Sequence, residues 1–507
     1  MGTPRNNRNS SVGRSFLTVA TGELSGQLAT MVRGIIIVRS IGMEQMGIVA
    51  TLLIMVDFLG RLANLNPSIT LVQDRYGASR GFRHTLQAIL LLRGTVIFVI
   101  LTLLAWPLAV FYQQEPHLAG FYAVALIPLL MGLPHVDVWR QLRNRKYKPQ
   151  AILSSMPNLG SLVVTIIAAI WIQNFWLPII ARLSGGILAI WFSFRLARRR
   201  YGIALRRADV TRILRFIIPL MGAGVLAYFS GQGMTFFIAS GPTIFKTISV
   251  EQVTLVLGVL YVGFRLCGIP DVVGSKLIQA TWSPRLARSQ DDPPLFRKIM
   301  LDMQAIAYLM AAGVIILLGV GTTWVLLIYG RGAIDAGPVV GLLSIYSGLR
   351  LGRVAMRATA LSTGNSSYLL WSNLASGMSI VGIILSMVMV ESSDDKLRFL
   401  SVWIPASMIV GELCSLVTIN ILLQKGRLKI GFSDLWMRPM LIVTTAVAWM
   451  LVERLAIDMV DTSTATGLVL AALSSVGFAA AYLVAGSLAM SRTRDKTLNL
   501  LRSVIAR

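Results

Sequence analysis

The chain has 507 residues, of which 55% are hydrophobic and only 14% are charged. This composition excludes an ordinary soluble domain and indicates an integral membrane protein. The formal net charge of +25 does not indicate a nucleic-acid partner, because the basic residues alternate with apolar runs instead of lining one soluble face.

Two long apolar runs near the N-terminus contain charged residues. Residues 16–38 and 47–71 are each long enough, at about 1.5 Å per residue, to cross a bilayer core of roughly 30 Å. A charge at the centre of such a helix costs at least about 2.5 to 3.5 kcal/mol, so charges here indicate a polar cavity rather than surrounding lipid. The pattern is typical of a transporter. The four charged residues are Glu23, Arg33, Asp57 and Arg61.

Further apolar runs alternate with charged or turn-forming breaks along the rest of the chain. Together with the first two, they predict an all-α polytopic membrane protein with about fourteen transmembrane helices. The later helices are predicted at 84–111, 119–136, 151–172, 176–194, 214–239, 253–275, 300–328, 338–360, 370–390, 399–423, 438–456 and 465–490.

The distribution of Lys and Arg predicts which side of the membrane each break faces. Because basic residues concentrate in cytoplasmic loops, we place the N-terminus inside, and most of the 47 Lys and Arg residues then fall in cytoplasmic breaks. An even number of helices puts the C-terminus inside as well. The outside breaks receive only Arg39, Lys246, Arg331, Lys396, Arg398 and Arg454.

The longest basic break, residues 195–215, divides the predicted helices into two sets of six. Such a duplication predicts two lobes around a central cavity. Topology and anchoring to anionic membrane lipids explain the basic break itself without a role in substrate binding. The predicted organisation is an N-terminal six-helix lobe (1–194), a basic cytoplasmic linker (195–215), a C-terminal six-helix lobe (216–424), and two additional helices with a basic cytoplasmic tail (425–507).

Three arginines in the predicted helix 338–360 share one helical face. Arg350, Arg353 and Arg357 are spaced i, i+3 and i+7. Such a stripe is too costly to face lipid near the bilayer centre, so it is predicted to line water, phosphate or acidic groups. With Arg33, Arg61 and Arg265, it forms the predicted substrate-binding set. The alternative is that some of the three snorkel to the membrane interface.

Carboxylates inside apolar helices are candidates for coupling transport to an ion. Glu23 and Glu412 have no close sequence partner, and a buried carboxylate can bind and release protons. Pairing with Arg33 or another cavity arginine is the alternative. Asp57 lies four residues before Arg61, a spacing that permits an intrahelical ion pair of structural or functional importance. The predicted ion-coupling residues are therefore Glu23, Asp57 and Glu412.

Metal, cofactor and nucleotide sites are not expected. The three histidines are far apart in sequence, and Cys267 and Cys414 lie in apolar runs as small hydrophobic residues do. No G-x-x-x-x-G-K-S/T motif occurs, so ATP hydrolysis is not expected either.

The sequence from Arg39 to Gln73 resembles the first outer loop and second helix of bacterial polysaccharide flippases. These are the O-antigen and exopolysaccharide exporters of the multidrug/oligosaccharidyl-lipid/polysaccharide (MOP) superfamily. The segments that carry the resemblance are RSIGMEQMG and LNPSITLVQ. The matching residues are Arg39, Gly42, Glu44, Gly47, Leu71, Val72 and Gln73.

This resemblance implies an alternating-access carrier of the bacterial inner membrane. Its expected substrate is a polyprenyl-diphosphate-linked oligosaccharide, an O-antigen or exopolysaccharide repeat unit, moved from the inner to the outer leaflet. The carboxylates in apolar helices make Na+ or H+ the candidate coupling ion, with membrane potential as the alternative driving force, and a polysaccharide polymerase or export machinery is a candidate protein partner. Arginine suits the diphosphate because its planar donors keep their charge.

Two other functions fit the sequence less well. A drug exporter of the same superfamily would favour cationic compounds, which intramembrane arginines repel. A membrane-embedded enzyme of polysaccharide assembly usually needs a sizeable catalytic segment outside the membrane, and the predicted outside loops are short. We therefore expect a carrier rather than an enzyme.

Overall fold

The structure is a computed structural model in which every regular element of the described chain is a helix. Some helical positions, including Arg61, are described for their backbone but not their side chains. The described residues are 7–62, 71, 79–144, 146–229, 233–246, 248–289, 291–363, 367–390, 395–425, 465–489 and single helical positions between 440 and 452.

The helices of the first half of the chain follow the predicted runs closely. The main difference is that helices begin earlier or break into shorter pieces near the loops. They are α1 (Asn7–Leu62), α2 (Arg80–Phe111), α3 (Leu118–Gly132), α4 (Asp137–Arg143), α5 (Lys148–Ala168), α6 (Trp176–Leu196), α7 (Arg207–Phe229), α8 (Met234–Ala239) and α9 (Gly241–Ile244).

The helices of the second half also follow the predicted runs. One of them, α10, continues well beyond the predicted end at residue 275. The helices are α10 (Val250–Arg288), α11 (Pro293–Gly319), α12 (Gly321–Tyr329), α13 (Ala336–Ser362), α14 (Ser367–Ser376), α15 (Met378–Met389), α16 (Lys396–Lys425) and α17 (Ala465–Ala489).

Eleven helices in the described part of the chain are long and apolar enough to cross a membrane. The predicted all-α polytopic fold is confirmed. The count of about fourteen stays a prediction. One of the eleven spans, Thr21–Gly60, contains two predicted helices, and most of the predicted helix 438–456 lies outside the described residues.

Gly42 separates the two predicted helices at the start of the chain. Its backbone angles of φ 77° and ψ 179° interrupt α1, so this element is two helices joined at a kink. A positive φ strains any residue with a Cβ, which explains a glycine at this position. The kink divides α1 into a segment that carries Glu23 and Arg33 and a segment that carries Asp57.

The chain forms two compact units. Unit 1 comprises Met1–Tyr228 and Ala239–Gly258, and unit 2 comprises Phe229–Ile238 and Val259–Arg507. The predicted lobe boundaries at residues 194 and 216 remain a prediction. Helix α7 begins at Arg207, inside the stretch predicted as linker.

Close helix packing in unit 1 brings α1 against α5. A Cβ added to Gly22 would lie 2.7 Å from the Cβ of Ala151, so the two backbones approach to a distance that only glycine permits. This approach places Glu23, the next residue along α1, beside the polar face of α5.

Helix α13 is the central element of unit 2. One face packs on α11, where Gly352 lies against the ring of Tyr308. Another face, which carries Arg353, meets α14 and α16. Most of α13 is buried, including Leu343, Leu351 and Met356.

Candidate functional site

Arg353 and Glu412 form a buried ion pair in unit 2. Nε of Arg353 on α13 lies 2.6 Å from Oε1 of Glu412 on α16, and the two side chains are only 6% and 1% exposed. Arg353 also donates hydrogen bonds to Asn373 at 3.3 Å and to the hydroxyls of Ser372 and Ser415. These contacts join three helices and enclose both charges in protein.

Arg350, one turn earlier on α13, has a different environment. Its Nη2 lies 3.3 Å from Oδ2 of Asp271 on α10, and the side chains of Arg350 and Asp271 are 40% and 14% exposed. Nη1 contacts the Tyr346 hydroxyl at 3.4 Å, and the guanidinium carbon lies 5.6 Å from the centre of that ring. Arg350 therefore presents a charged group at an accessible surface while Asp271 and Tyr346 hold it in place.

The predicted arginine stripe thus contains side chains with different surroundings. Arg353 is enclosed, whereas Arg350 and Arg357 are both half-buried, and Arg350 meets a carboxylate. Among the described residues, no ion pair of Arg357 is found. Arg265, on α10 of the same unit, is also half-buried. Helical spacing predicted that Arg350, Arg353 and Arg357 share one face of the helix. It could not predict which of them would meet a carboxylate, and two of the three do.

Unit 1 contains a second polar cluster, formed by α1, α5 and α6. Arg33 donates a 2.7 Å hydrogen bond to the hydroxyl of Ser161, which in turn donates to the carbonyl of Ala181. The hydroxyl of Ser154 donates to Oε1 of Glu23 at 2.9 Å. Both predicted site residues are therefore half-buried and held by serines of α5, which sequence analysis did not single out.

Asp57 pairs with Arg182 of α6. Oδ1 of Asp57 lies 3.2 Å from Nη1 of Arg182, and both side chains are more than one-third exposed. The partner considered from the sequence was Arg61, whose side chain lies outside the described residues. Arg182 belongs to the charged group of unit 1 but was missed as a candidate, because no local spacing links it to Asp57.

A further charged cluster surrounds Asp137, which is fully buried. Its carboxylate contacts Arg83 at 3.3 Å, accepts hydrogen bonds from Arg140, and accepts a 2.9 Å bond from the backbone N–H of Arg198. Burial alone raises the pKa of Asp137, but the hydrogen bonds from Arg140 and from the Arg198 backbone outweigh it and hold the pKa below its usual range. This cluster was also missed. The only local signal is the i, i+3 spacing of Asp137 and Arg140.

The described residues contain no group of three or more His, Cys, Asp or Glu side chains arranged to hold a metal. The arginine cluster of unit 2 and the cluster of α1, α5 and α6 in unit 1 contain guanidinium groups, carboxylates, hydroxyls and an amide. These groups form ionic contacts and hydrogen bonds. These groups can hold an anion or exchange a counter-ion. Most of these groups lie on helices that are long and apolar enough to span a membrane.

Solved transporter structures share this fold. A structure described as lipid II flippase MurJ in an inward closed conformation matches with a TM-score of 0.67 and 11% identity, over 95% of this chain and 100% of that chain. A multidrug resistance MATE family transporter of the MOP superfamily matches with a TM-score of 0.54 and 13% identity, over 80% and 99%. A variant of the Vibrio cholerae MATE transporter VcmN matches with a TM-score of 0.50 and 15% identity, over 83% and 98%.

The fold is therefore that of MOP-superfamily membrane transporters. The family model of polysaccharide biosynthesis proteins matches residues 36–334, which is more than half of the chain. The chain belongs to this polysaccharide biosynthesis protein family. The comparison with curated proteins gave no match. The resemblance to polysaccharide flippases that the sequence indicated is confirmed.

Proposed function

We propose that this chain flips a polyprenyl-diphosphate-linked oligosaccharide, an O-antigen or exopolysaccharide repeat unit, across the bacterial inner membrane by alternating access. The polysaccharide family supports the class of substrate, and the transporter fold supports the mode of action. In this proposal the protein is a carrier and not an enzyme.

The observation that carries the proposal is the accessible guanidinium of Arg350 within a helix long and apolar enough to span the membrane. A cation that stays accessible in such a helix has no stabilising role comparable to that of the enclosed Arg353. Its planar donors suit a phosphate oxygen, and charge-assisted bonds of this kind are about twice as strong as neutral ones. Arg350 is therefore our leading candidate for the diphosphate.

The remaining predicted substrate-binding residues take different places in this proposal. Arg33 is held by Ser161 within unit 1 and stays a candidate. Arg265, Arg357 and Arg61 stay candidates. Arg353 supports the site by fixing α13 against α14 and α16.

Ion coupling is assigned to the carboxylates of unit 1. Glu23 is half-buried beside Ser154, and Asp57 is partly exposed beside Arg182. Either carboxylate can exchange a proton or Na+ if its hydrogen bond or ion pair opens during transport. Glu412 is a weaker candidate, because Arg353 already neutralises it in an enclosed site.

The test combines a cell and a purified system. Deleting the gene should cause one lipid-linked oligosaccharide to accumulate on the cytoplasmic leaflet, and that lipid should then be flipped by the purified protein in liposomes. Protein-free liposomes and an Arg350→Gln variant serve as controls. Accumulation of no lipid-linked oligosaccharide, with no flipping of the family's candidate lipids in liposomes, would rule the proposal out.

A further inference from the structure

Two ion pairs with different solvent exposure involve arginines of α13. Arg353 and Glu412 are closed off from solvent, so neither can meet a ligand without a rearrangement of three helices. Arg350 and Asp271 are in contact at the longer distance of 3.3 Å, and both remain partly exposed. The second pair can therefore open with a change of side-chain conformation only.

Asp271 places a negative charge beside the Arg350 guanidinium, where an anionic ligand would bind. An arginine in a membrane-spanning helix is costly without a counter-charge, and Asp271 provides one when no ligand is bound. The guanidinium has five N–H donors, so its contacts with Asp271 and Tyr346 do not use its full capacity. A phosphate oxygen can approach the same group from its exposed side.

The neighbourhood of Asp271 leaves room for such an approach. A Cβ added to Gly268, about one turn earlier on α10, would meet no atom within 4 Å in the part of the chain that the structure describes. Pro270 precedes the aspartate directly. The space directly beside Gly268 is thus not filled by any side chain of the described residues.

We propose that Asp271 is an internal counter-ion that competes with the substrate's phosphate for Arg350. This inference rests on the proposed function, because it requires Arg350 to bind the diphosphate. When the lipid-linked substrate binds, a phosphate oxygen displaces the Asp271 carboxylate from the guanidinium. When the substrate leaves, Asp271 returns and restores the ion pair.

This competition has consequences for release and specificity. A carrier must release its substrate on the far side, and a built-in competitor lowers the affinity that an unopposed arginine would give. It also selects for anionic ligands, because a neutral lipid that displaced Asp271 would leave two charges without a partner. Asp271 is therefore a specificity-determining residue that acts through Arg350.

The test measures binding of a sugar-free polyprenyl diphosphate to the full-length protein in phosphatidylcholine nanodiscs. Asp271→Asn should bind this probe about two- to fivefold more tightly, because the competing carboxylate is gone. Arg350→Gln should bind it about ten- to a hundredfold more weakly. In the double variant, the substitution at Asp271 should have no further effect.

The control separates local competition from a general change in charge. Glu251 is exposed in the first turn of the same helix, twenty residues before Asp271 in the sequence. Glu251→Gln removes the same charge and should leave the affinity at the wild-type value. If Asp271→Asn lowers the thermal unfolding midpoint, Asp271→Ser replaces it in the same comparison.

The outcomes distinguish this inference from the proposed function. Weaker binding by Arg350→Gln with unchanged or weaker binding by the Asp271 variants would overturn the counter-ion role and leave the substrate site in place. Wild-type affinity in Arg350→Gln would overturn the binding of the diphosphate by Arg350. It would also overturn the competition by Asp271, which depends on that binding. Equal gains in Asp271→Asn and Glu251→Gln would assign the effect to net charge and overturn the competition.

Discussion

Arg353 and Glu412 lie 2.6 Å apart in the interior of unit 2, and both are enclosed by protein. In the sequence, the spacing of Arg353 to Arg350 and Arg357 suggested a substrate contact, and the position of Glu412 in an apolar helix suggested an ion-coupling role. The structure brings these two residues to each other. A charged side chain that is paired with another charge inside the helix bundle is expected to contribute to protein stability rather than to substrate binding.

Single substitutions at this pair should destabilise the protein strongly. Glu412→Gln or Arg353→Met leaves one enclosed charge without a partner, which typically costs about 3 to 5 kcal/mol. The double variant Arg353→Met with Glu412→Met should lose less than the sum of the single losses. Thermal unfolding of the purified protein measures this. Unchanged midpoints in both single variants would contradict a structural role.

Some features of unit 1 could be predicted from the sequence, namely its helices and the grouping of its basic residues on one side of the membrane. The apolar runs predicted the helices, because burial in lipid imposes long uninterrupted apolar segments. The positive-inside pattern placed the regions of Arg83, Arg140 and Arg198 on one side of the membrane, and in the structure these three residues meet at Asp137. Which side that is remains a prediction.

The pairing of individual charges could not be predicted in the same way. Asp57 meets Arg182, and Glu23 meets Ser154, across sequence separations of more than a hundred residues. Such contacts depend on which helices pack together and on their rotation, and one sequence does not specify either. The candidate residues were recognisable by charge, whereas their partners required the fold.

Asp137 should be essential for the stability of unit 1. Asp137→Asn leaves Arg83 buried without a counter-charge, and we expect a loss of about 3 to 5 kcal/mol. Because its pKa is held below the usual range, the wild-type contribution is complete above about pH 4 and is lost as the folded-state carboxyl takes up a proton at lower pH. Thermal unfolding of both proteins across pH 3 to 7 tests this, and an asparagine variant as stable as the wild type at pH 7 would contradict it.

Ion coupling should depend on unit 1 rather than on Glu412. Glu23→Gln or Asp57→Asn should remove the dependence of transport on pH or on Na+ while the protein remains folded, because each variant lacks the exchangeable charge. Glu412→Gln is the matched comparison and should reduce the amount of folded protein instead. Flipping in liposomes with imposed ion gradients measures the dependence. Retention of full ion dependence by both unit 1 variants would give these carboxylates a structural role.

The predicted topology can be tested by labelling single cysteines. In a background without Cys267 and Cys414, cysteines at Ser249 and Ser392 should react with an impermeant thiol reagent in intact cells, because both positions fall in breaks predicted to face outside. A cysteine at Ser491 should react only after the membrane is opened. Labelling of Ser491 in intact cells, equal to that at the other two positions, would show that the predicted helix count is wrong.

The three arginines of α13 should respond differently to substitution. At Arg350, glutamine should weaken substrate binding by about ten- to a hundredfold, since one charge-assisted hydrogen bond contributes about 1.5 to 3 kcal/mol. Lysine should restore binding only in part, because it keeps the charge but lacks the planar fork. At Arg353, both substitutions should mainly reduce the amount of folded protein.

Arg357 provides the internal comparison for this series. It shares the helix, the face and the half-buried class of Arg350, but it lies one turn beyond Arg353, so Arg357→Gln should reduce flipping only if the substrate extends that far. Alanine, lysine and glutamine variants at the three positions are compared by flipping rate at matched protein level in the membrane. A triple glutamine variant that flips at the wild-type rate would remove the stripe from the substrate path. Loss at Arg350 with retention at Arg357 would instead locate the diphosphate beside Asp271 and Tyr346.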